Sequence, residues 1–398
     1  MRKKVVGVAV VSALALLNSA TPAFGQSSSS SDFQPGGVVG SSAITALSSY
    51  PQDIEHAFYE NLFSSPIISQ AAGNAMLSSI SAVGSAEKTD LGGVEIRPTP
   101  PTVEGITEAA LISKTPEEKA ERWVVASPAL KREIEVLVKP QKDASTSAPV
   151  LYLLDGVNAD AIGDFLYQGN LSPIDDNVTI VMPTGARGSL WVDWEKEDPV
   201  LGRHMWETFL TKELPGVIEN DASVNFNGKR AIGGISMGAS GAVMIANRNL
   251  GMYQGILGIS GCYSTMSTIG RHITYLNIHS RGGELDNLWG AFGSKGWRSH
   301  DVPSDPRGLS GTRMYLSAGS GVVDPDQRDK WLNQPAPMAS NVLEAGVRTC
   351  TQELDTALTI HGVTGNSKIV YTDYGSHEWA NFNQHFGPGW EYIRGALY

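Results

Sequence analysis

Gly234-Ile235-Ser236-Met237-Gly238 fits the pattern Gly-x-Ser-x-Gly. The chemistry it suggests is nucleophilic attack by Ser236. A serine hydroxyl does this only when a base takes its proton. An apolar stretch, Arg230-Ala231-Ile232-Gly233, leads into the motif, and small residues, Ala239-Ser240-Gly241-Ala242, follow it. Strand, tight turn and helix form the context that sets a serine at an exposed, strained apex with a helix N-terminus behind it. The alternative is an ordinary strand-to-helix turn. The base should follow the serine in the chain. His377, in Asp373-Tyr374-Gly375-Ser376-His377 directly after the last predicted strand, is the first choice, and His385 the second. His361 precedes that strand and reads as a surface residue. For the acid, the segment after a strand ending at Ala318 offers Asp324 and Asp326, and Glu344 is the other candidate. Spacing alone does not choose among them. An acyl-transfer site also needs two backbone N–H donors for the developing oxyanion. Met237, after the nucleophile, supplies one; Val157, in Asp155-Gly156-Val157-Asn158 after an early strand, supplies the other. This chemistry calls for no metal and no cofactor.

These groups need a sheet to hold them. Trp123-Val124-Val125 and Ile134 to Val138 predict an opening antiparallel pair. Val150 to Leu154 and Val178 to Met182 are short and nearly all apolar. Such strands belong in a sheet covered on both faces. Phe209 to Ile218 predicts a helix that Pro215 bends or ends, and Gly238 to Arg248 a second. Gly255 to Ser260, Met314 to Ala318 and Lys368 to Tyr371 predict further strands. Alternation of strands with helices predicts an α/β fold with a mostly parallel central sheet, the α/β-hydrolase arrangement.

The chain has 398 residues, 41% hydrophobic and 18% charged, with a net charge of −11. That is enough apolar material for a sizeable core and too little charge for disorder. The first 25 residues carry Arg2, Lys3, Lys4 and no acid, so removing them takes the net charge to −14. An acidic chain without a basic run is a poor ligand for nucleic acid, whose binding draws on phosphate neutralisation. The N-terminus reads as a signal peptide over 1–25, with an apolar run of 13 from Val5 to Leu17 and small residues in Ala23-Phe24-Gly25. The run is too short to span a bilayer. The mature protein is therefore expected to be exported, without a transmembrane anchor. A Ser/Gly-rich linker (26–50) and a partly helical extension (51–120) are expected before the main domain (121–398). The two cysteines, Cys262 and Cys350, suggest one disulfide in an exported chain; two buried thiols are the alternative.

The segments from Trp123 onward resemble the secreted mycolyltransferases of mycolic-acid bacteria, the antigen 85 family. Leu151-Tyr152-Leu153-Leu154-Asp155-Gly156, Val181-Met182-Pro183, Asp193-Trp194, Glu207-Thr208-Phe209-Leu210-Thr211, Glu213-Leu214-Pro215-Gly216, Ser236-Met237, Trp289-Gly290, Trp297, Leu343-Glu344 and Gly375-x-His377-x-Trp379 carry the likeness. The resemblance implies a Ser236–Glu344–His377 triad, with Glu344 as acid, and a ping-pong reaction. Ser236 would take a mycoloyl group from a trehalose mycolate donor and pass it to an envelope hydroxyl of a glycolipid, glycan or protein. It also implies substrate contacts from Asp155, position 158 and Trp379, at the cell envelope. Asn158 stands where the family has an arginine of its sugar site, and Glu378 where it has serine. A plain secreted carboxylesterase and a surface binding protein with a vestigial triad are the competing readings.

Overall fold

The computed structural model describes residues 99–159, 163–174, 177–327 and 337–398. The expected signal peptide, the expected linker and most of the expected extension lie outside the described residues. Among the described residues, nine strands form one sheet. They are β1 (Ala110–Pro116), β2 (Glu121–Ser127), β3 (Arg132–Lys139), β4 (Ala148–Leu154), β5 (Thr179–Pro183), β6 (Phe226–Ile235), β7 (Gly255–Ile259), β8 (Arg313–Ala318) and β9 (Ser367–Tyr371). Their order across the sheet is β1-β2-β3-β5-β4-β6-β7-β8-β9. The first three strands are antiparallel, and β3 runs antiparallel to β5. Every pairing from β5 across to β9 is parallel.

Both faces are covered, which is why β4, β5 and β7 are buried throughout and read as continuous apolar runs. Four helices matter for the site: α1 (Met237–Arg248), α2 (Thr268–His279), α3 (Pro337–Ile360) and α4 (Trp379–Arg394). Alternate strand residues face opposite sides. Val150, Tyr152 and Leu154 pack in one core with Ala242, Val243 and Ile245 of α1 and Leu354 and Leu358 of α3. Leu151 and Leu153 pack in the other with Phe382, Phe386, Trp390 and Ile393 of α4.

Two expectations are corrected. The boundary drawn at residue 121 falls inside the sheet, because β1 pairs with β2 from Ala110 onward. Further upstream, Thr99 N donates to Val200 O at 3.0 Å and Val103 N to Lys131 O at 2.8 Å. β1 is an edge strand, exposed from Ile112 to Pro116. Its exposed half, Ser113 to Thr115, is polar as suits a free edge, and the run Ala110-Leu111-Ile112 before it shows no apolar alternation to read. The helix expected over 209–218 is longer and not uniform. Trp206–Thr208 and Leu214–Glu219 are α-helical, and Phe209–Glu213 between them is a π-helical turn. Pro215, which has no N–H to give, sits just after that wider turn, so the chain continues where an α-helix would break.

Candidate active site

The site is assembled at the C-terminal ends of the parallel strands, where the connections leave room for side chains to converge. Ser236 follows β6 and precedes α1. Its φ of 54° and ψ of −123° put a non-glycine residue in strained backbone, a cost that the surrounding structure must hold in place. Gly238 explains part of that hold: a Cβ there would lie 1.9 Å from Leu154 O. Only glycine lets the start of α1 come this close to the end of β4. The first peptide groups of α1 then point their N–H ends toward Ser236, an arrangement that favours negative charge there.

Three side chains from distant segments form one line. Ser236 Oγ lies 2.7 Å from His377 Nε2. His377 Nδ1 lies 2.7 Å from Glu344 Oε2. The arrangement fits the tautomer in which Nδ1–H donates to the carboxylate and Nε2 accepts the serine proton. Glu344 sits on α3 with no exposed surface, and its other oxygen is fully engaged. Oε1 accepts from Ser260 Oγ at 2.7 Å, from Gly319 N at 2.7 Å and from Asn381 Nδ2 at 3.0 Å. Such charge-assisted bonds keep a buried carboxylate in place as an acceptor. The histidine segment is tied to the same helix, since His377 N donates to Ser340 O at 3.2 Å.

The other candidates lie elsewhere. His385 is buried on α4, with Nδ1 3.0 Å from Tyr315 Oη; burial lowers its pKa. His361 is exposed beyond α3. Asp324 opens a turn, accepting from Asp326 N at 2.9 Å, and Asp326 is exposed. Neither is bonded to His377.

The loop after β4 lies against Ser236: a Cβ on Gly156 would be 3.6 Å from Ser236 Cβ. Its backbone is held from one side by the 185–191 segment. Gly188 N donates to Val157 O at 3.0 Å, Trp191 Nε1 to Asp155 O at 2.9 Å, and Leu190 N to Met237 Sδ at 3.3 Å. Leu190 and Trp191 both have positive φ, 58° and 59°, so this clamp is itself strained. Asp155 is buried, and its Oδ2 accepts from Asp164 N at 3.1 Å. Asn158 Oδ1 accepts from Arg281 Nη2 at 2.7 Å. Trp379, half-buried, meets Phe165 and Phe382 edge-on at 5.7 and 5.8 Å.

Sequence reading missed Ser260, Asn381 and Trp191. Ser260 had a signal. It ends β7 as Ser236 ends β6, and it shares the φ of 54°.

Cys262 and Cys350 form a disulfide, with Cα atoms 4.9 Å apart. It pins α3, six residues beyond Glu344, to the segment after β7. Ile269, Ile273, Val322, Ala345 and Val347 pack around it. The bridge closes a loop of 88 residues, worth up to about 4–5 kcal/mol in the chain-entropy model. Reduction should lower turnover at a temperature where circular dichroism still reports a folded chain. Unchanged activity after full reduction, verified by thiol titration, would leave the bridge with a structural role alone.

Among the described residues, no group of His, Cys, Asp and Glu is arranged to hold a metal ion, and no helix is long and apolar enough to cross a membrane.

The sequence profile of a family described as "Putative esterase" matches residues 127–391. The diacylglycerol acyltransferase/mycolyltransferase Ag85A of Mycobacterium tuberculosis is 27% identical over 318 residues, covering 75% of this chain and 85% of that protein. The Ag85B protein of Mycobacterium intracellulare is 28% identical over 275 residues, covering 64% and 76%. Among solved structures, MPT51 of Mycobacterium tuberculosis superposes with a TM-score of 0.57 at 21% identity, covering 71% of this chain and all of that one. An S-formylglutathione hydrolase from Agrobacterium tumefaciens gives 0.52 at 16% identity, covering 73% and 100%. Both share the α/β-hydrolase fold with this chain.

Proposed function

This chain belongs to the esterase family, and on that premise we propose that it is an exported mycolyltransferase working through a Ser236 acyl-enzyme. The observation that carries the reading is the unbroken line from Ser236 through His377 to Glu344, at 2.7 Å and 2.7 Å. The likeness to proteins named mycolyltransferase supplies the acyl donor class.

His377 Nε2 takes the Ser236 proton as Oγ attacks the ester carbonyl of a trehalose mycolate. The N–H groups of Met237 and Val157 receive the oxyanion, at the end of α1 and on the clamped loop after β4. As the tetrahedral intermediate collapses, the imidazolium returns its proton to the leaving trehalose oxygen. An acyl-serine remains. An acceptor hydroxyl then gives its proton to His377, attacks the acyl-serine and leaves as the new ester, and Ser236 regains its proton. Glu344 holds the His377 tautomer and stabilises its cation. We assign Asp155, Asn158 and Trp379 to substrate contact, since they flank the oxyanion donors and the base. The acceptor is a cell-envelope hydroxyl, on glycolipid, glycan or protein, and the protein acts outside the cytoplasm after loss of its signal peptide.

Thin-layer analysis of the lipids formed from trehalose monomycolate by purified enzyme tests this. Transfer products are expected. Free mycolic acid alone would make the protein a plain carboxylesterase, and no turnover would make it a surface binding protein with an idle triad.

A further inference from the structure

Two segments must keep register for the triad to work. Glu344 comes from α3, while His377 comes from the connection between β9 and α4. A third element, α4, sends one side chain to both. Asn381 is 3% exposed. Its Nδ2 donates to Glu344 Oε1 at 3.0 Å and lies 3.5 Å from Ser260 Oγ. Its amide also lies directly on the backbone of the histidine segment. A Cβ at Gly375, two residues before His377, would stand 2.5 Å from Asn381 Oδ1 and 2.8 Å from its Cγ. Gly375 is thus required bare, at a φ of +135°. That backbone is further fastened by Gly375 N to Val322 O at 2.8 Å and by Gly321 N to Gly375 O at 2.9 Å.

The consequence for Glu344 is chemical. Donors from Ser260, Gly319 and Asn381 engage Oε1, so Oε2 is left to face His377 Nδ1. Losing one donor frees the carboxylate to rotate among the remaining donors, and small misplacement of a reacting line is expensive in rate. We propose that Asn381 is a positioning residue of the acyl-transfer site, setting the Glu344 carboxylate and the Gly375–His377 segment in one register. The inference rests on the acyl-transfer reading given above. Asn381 touches no reacting atom; it acts through Glu344 and Gly375.

Other titratable groups face this cluster and belong to the pH argument. His385 lies one turn further along α4 and Tyr263 follows β7; both feel the Glu344 charge. Glu378, beside His377, accepts from Ser376 Oγ at 2.9 Å.

Two near-isosteric variants separate positioning from space-filling. Asn381→Leu keeps the branched outline and removes the donor. Asn381→Asp keeps the shape and sets a second carboxyl group against Glu344. With p-nitrophenyl butyrate as substrate, and active sites counted by fluorophosphonate labelling, Asn381→Leu should lower kcat about 10- to 100-fold with KM within about twofold. Asn381→Asp sets a second carboxyl 3.0 Å from Glu344 Oε1, where the two cannot both carry charge, so the new group keeps a proton and donates it to Oε1; kcat should stay within a few-fold of wild type near neutral pH and fall on the alkaline side as that proton is lost. A space-filling residue would change thermal stability in both variants and leave kcat per labelled site and its pH profile as in the wild type. That result overturns the proposal. Should Asn381→Leu fail to fold, the Asn381→Asp profile decides alone. A wild-type protein that neither takes the probe nor turns over the ester would instead remove the acyl-transfer reading, and this role with it.

Discussion

Ser236→Ala should abolish covalent labelling by a fluorophosphonate probe and lower ester turnover by on the order of 10⁴ or more. The expectation follows from geometry before chemistry. Ser236 Oγ is the hydroxyl within 2.7 Å of His377 Nε2, and it sits at the N-terminal end of α1. The instructive control is Ser260, which shares its position at a strand end and its φ of 54°. Ser260 has no base. Its hydroxyl is buried and donates to Glu344 Oε1 at 2.7 Å, so its proton already faces an acceptor that must stay in place. Ser260→Ala should therefore keep the label while slowing turnover. Mass analysis of the labelled peptide reads both variants. A label that survives Ser236→Ala and maps to Ser260 would overturn the assignment of the nucleophile.

The central strands were legible because burial on both faces leaves unbroken apolar runs, and β4 and β5 fall within two residues of where those runs predict them. β1 was not legible, because an exposed edge strand has no buried face to impose a period. The π-helical turn over Phe209–Glu213 was signalled only by Pro215, and a proline marks where a helix is disturbed rather than how the chain absorbs it. At the candidate site, the placement of Ser236 and His377 was readable because local sequence builds their surroundings: a Gly-x-Ser-x-Gly turn, and a loop straight after the last strand. Asn381 and Ser260 were not, because each meets Glu344 across 37 and 84 residues of chain. No local pattern encodes such a meeting.

The proposed acid shows the same limit and yields the second large effect. Generic chain order directs attention to Asp324, just beyond β8. In the structure the end of β8 contributes a donor instead: Gly319 N–H points at Glu344 Oε1, and the carboxylate arrives from α3. Glu344→Gln should lower kcat by about 10²- to 10⁴-fold, as loss of the orienting acid does in other serine triads. The hydrogen-bond inventory gives the reason. Three donors converge on Oε1, so the glutamine oxygen must take that position. Its NH₂ then faces His377 Nδ1, where an acceptor is needed. The imidazole relieves this by moving its proton to Nε2, and a protonated Nε2 cannot accept from Ser236. The side chain keeps its shape, so the fold should hold while the base is switched to the wrong tautomer. Asp324→Asn, by contrast, alters a turn whose carboxylate accepts from Asp326 N, and should leave kcat within a few-fold. Steady-state kinetics of the two variants, each normalised to folded protein by near-ultraviolet circular dichroism, make the comparison. A crippled Asp324→Asn beside an active Glu344→Gln would mean that the loop after β8 supplies the acid during turnover, and that the Glu344–His377 hydrogen bond serves the resting enzyme alone.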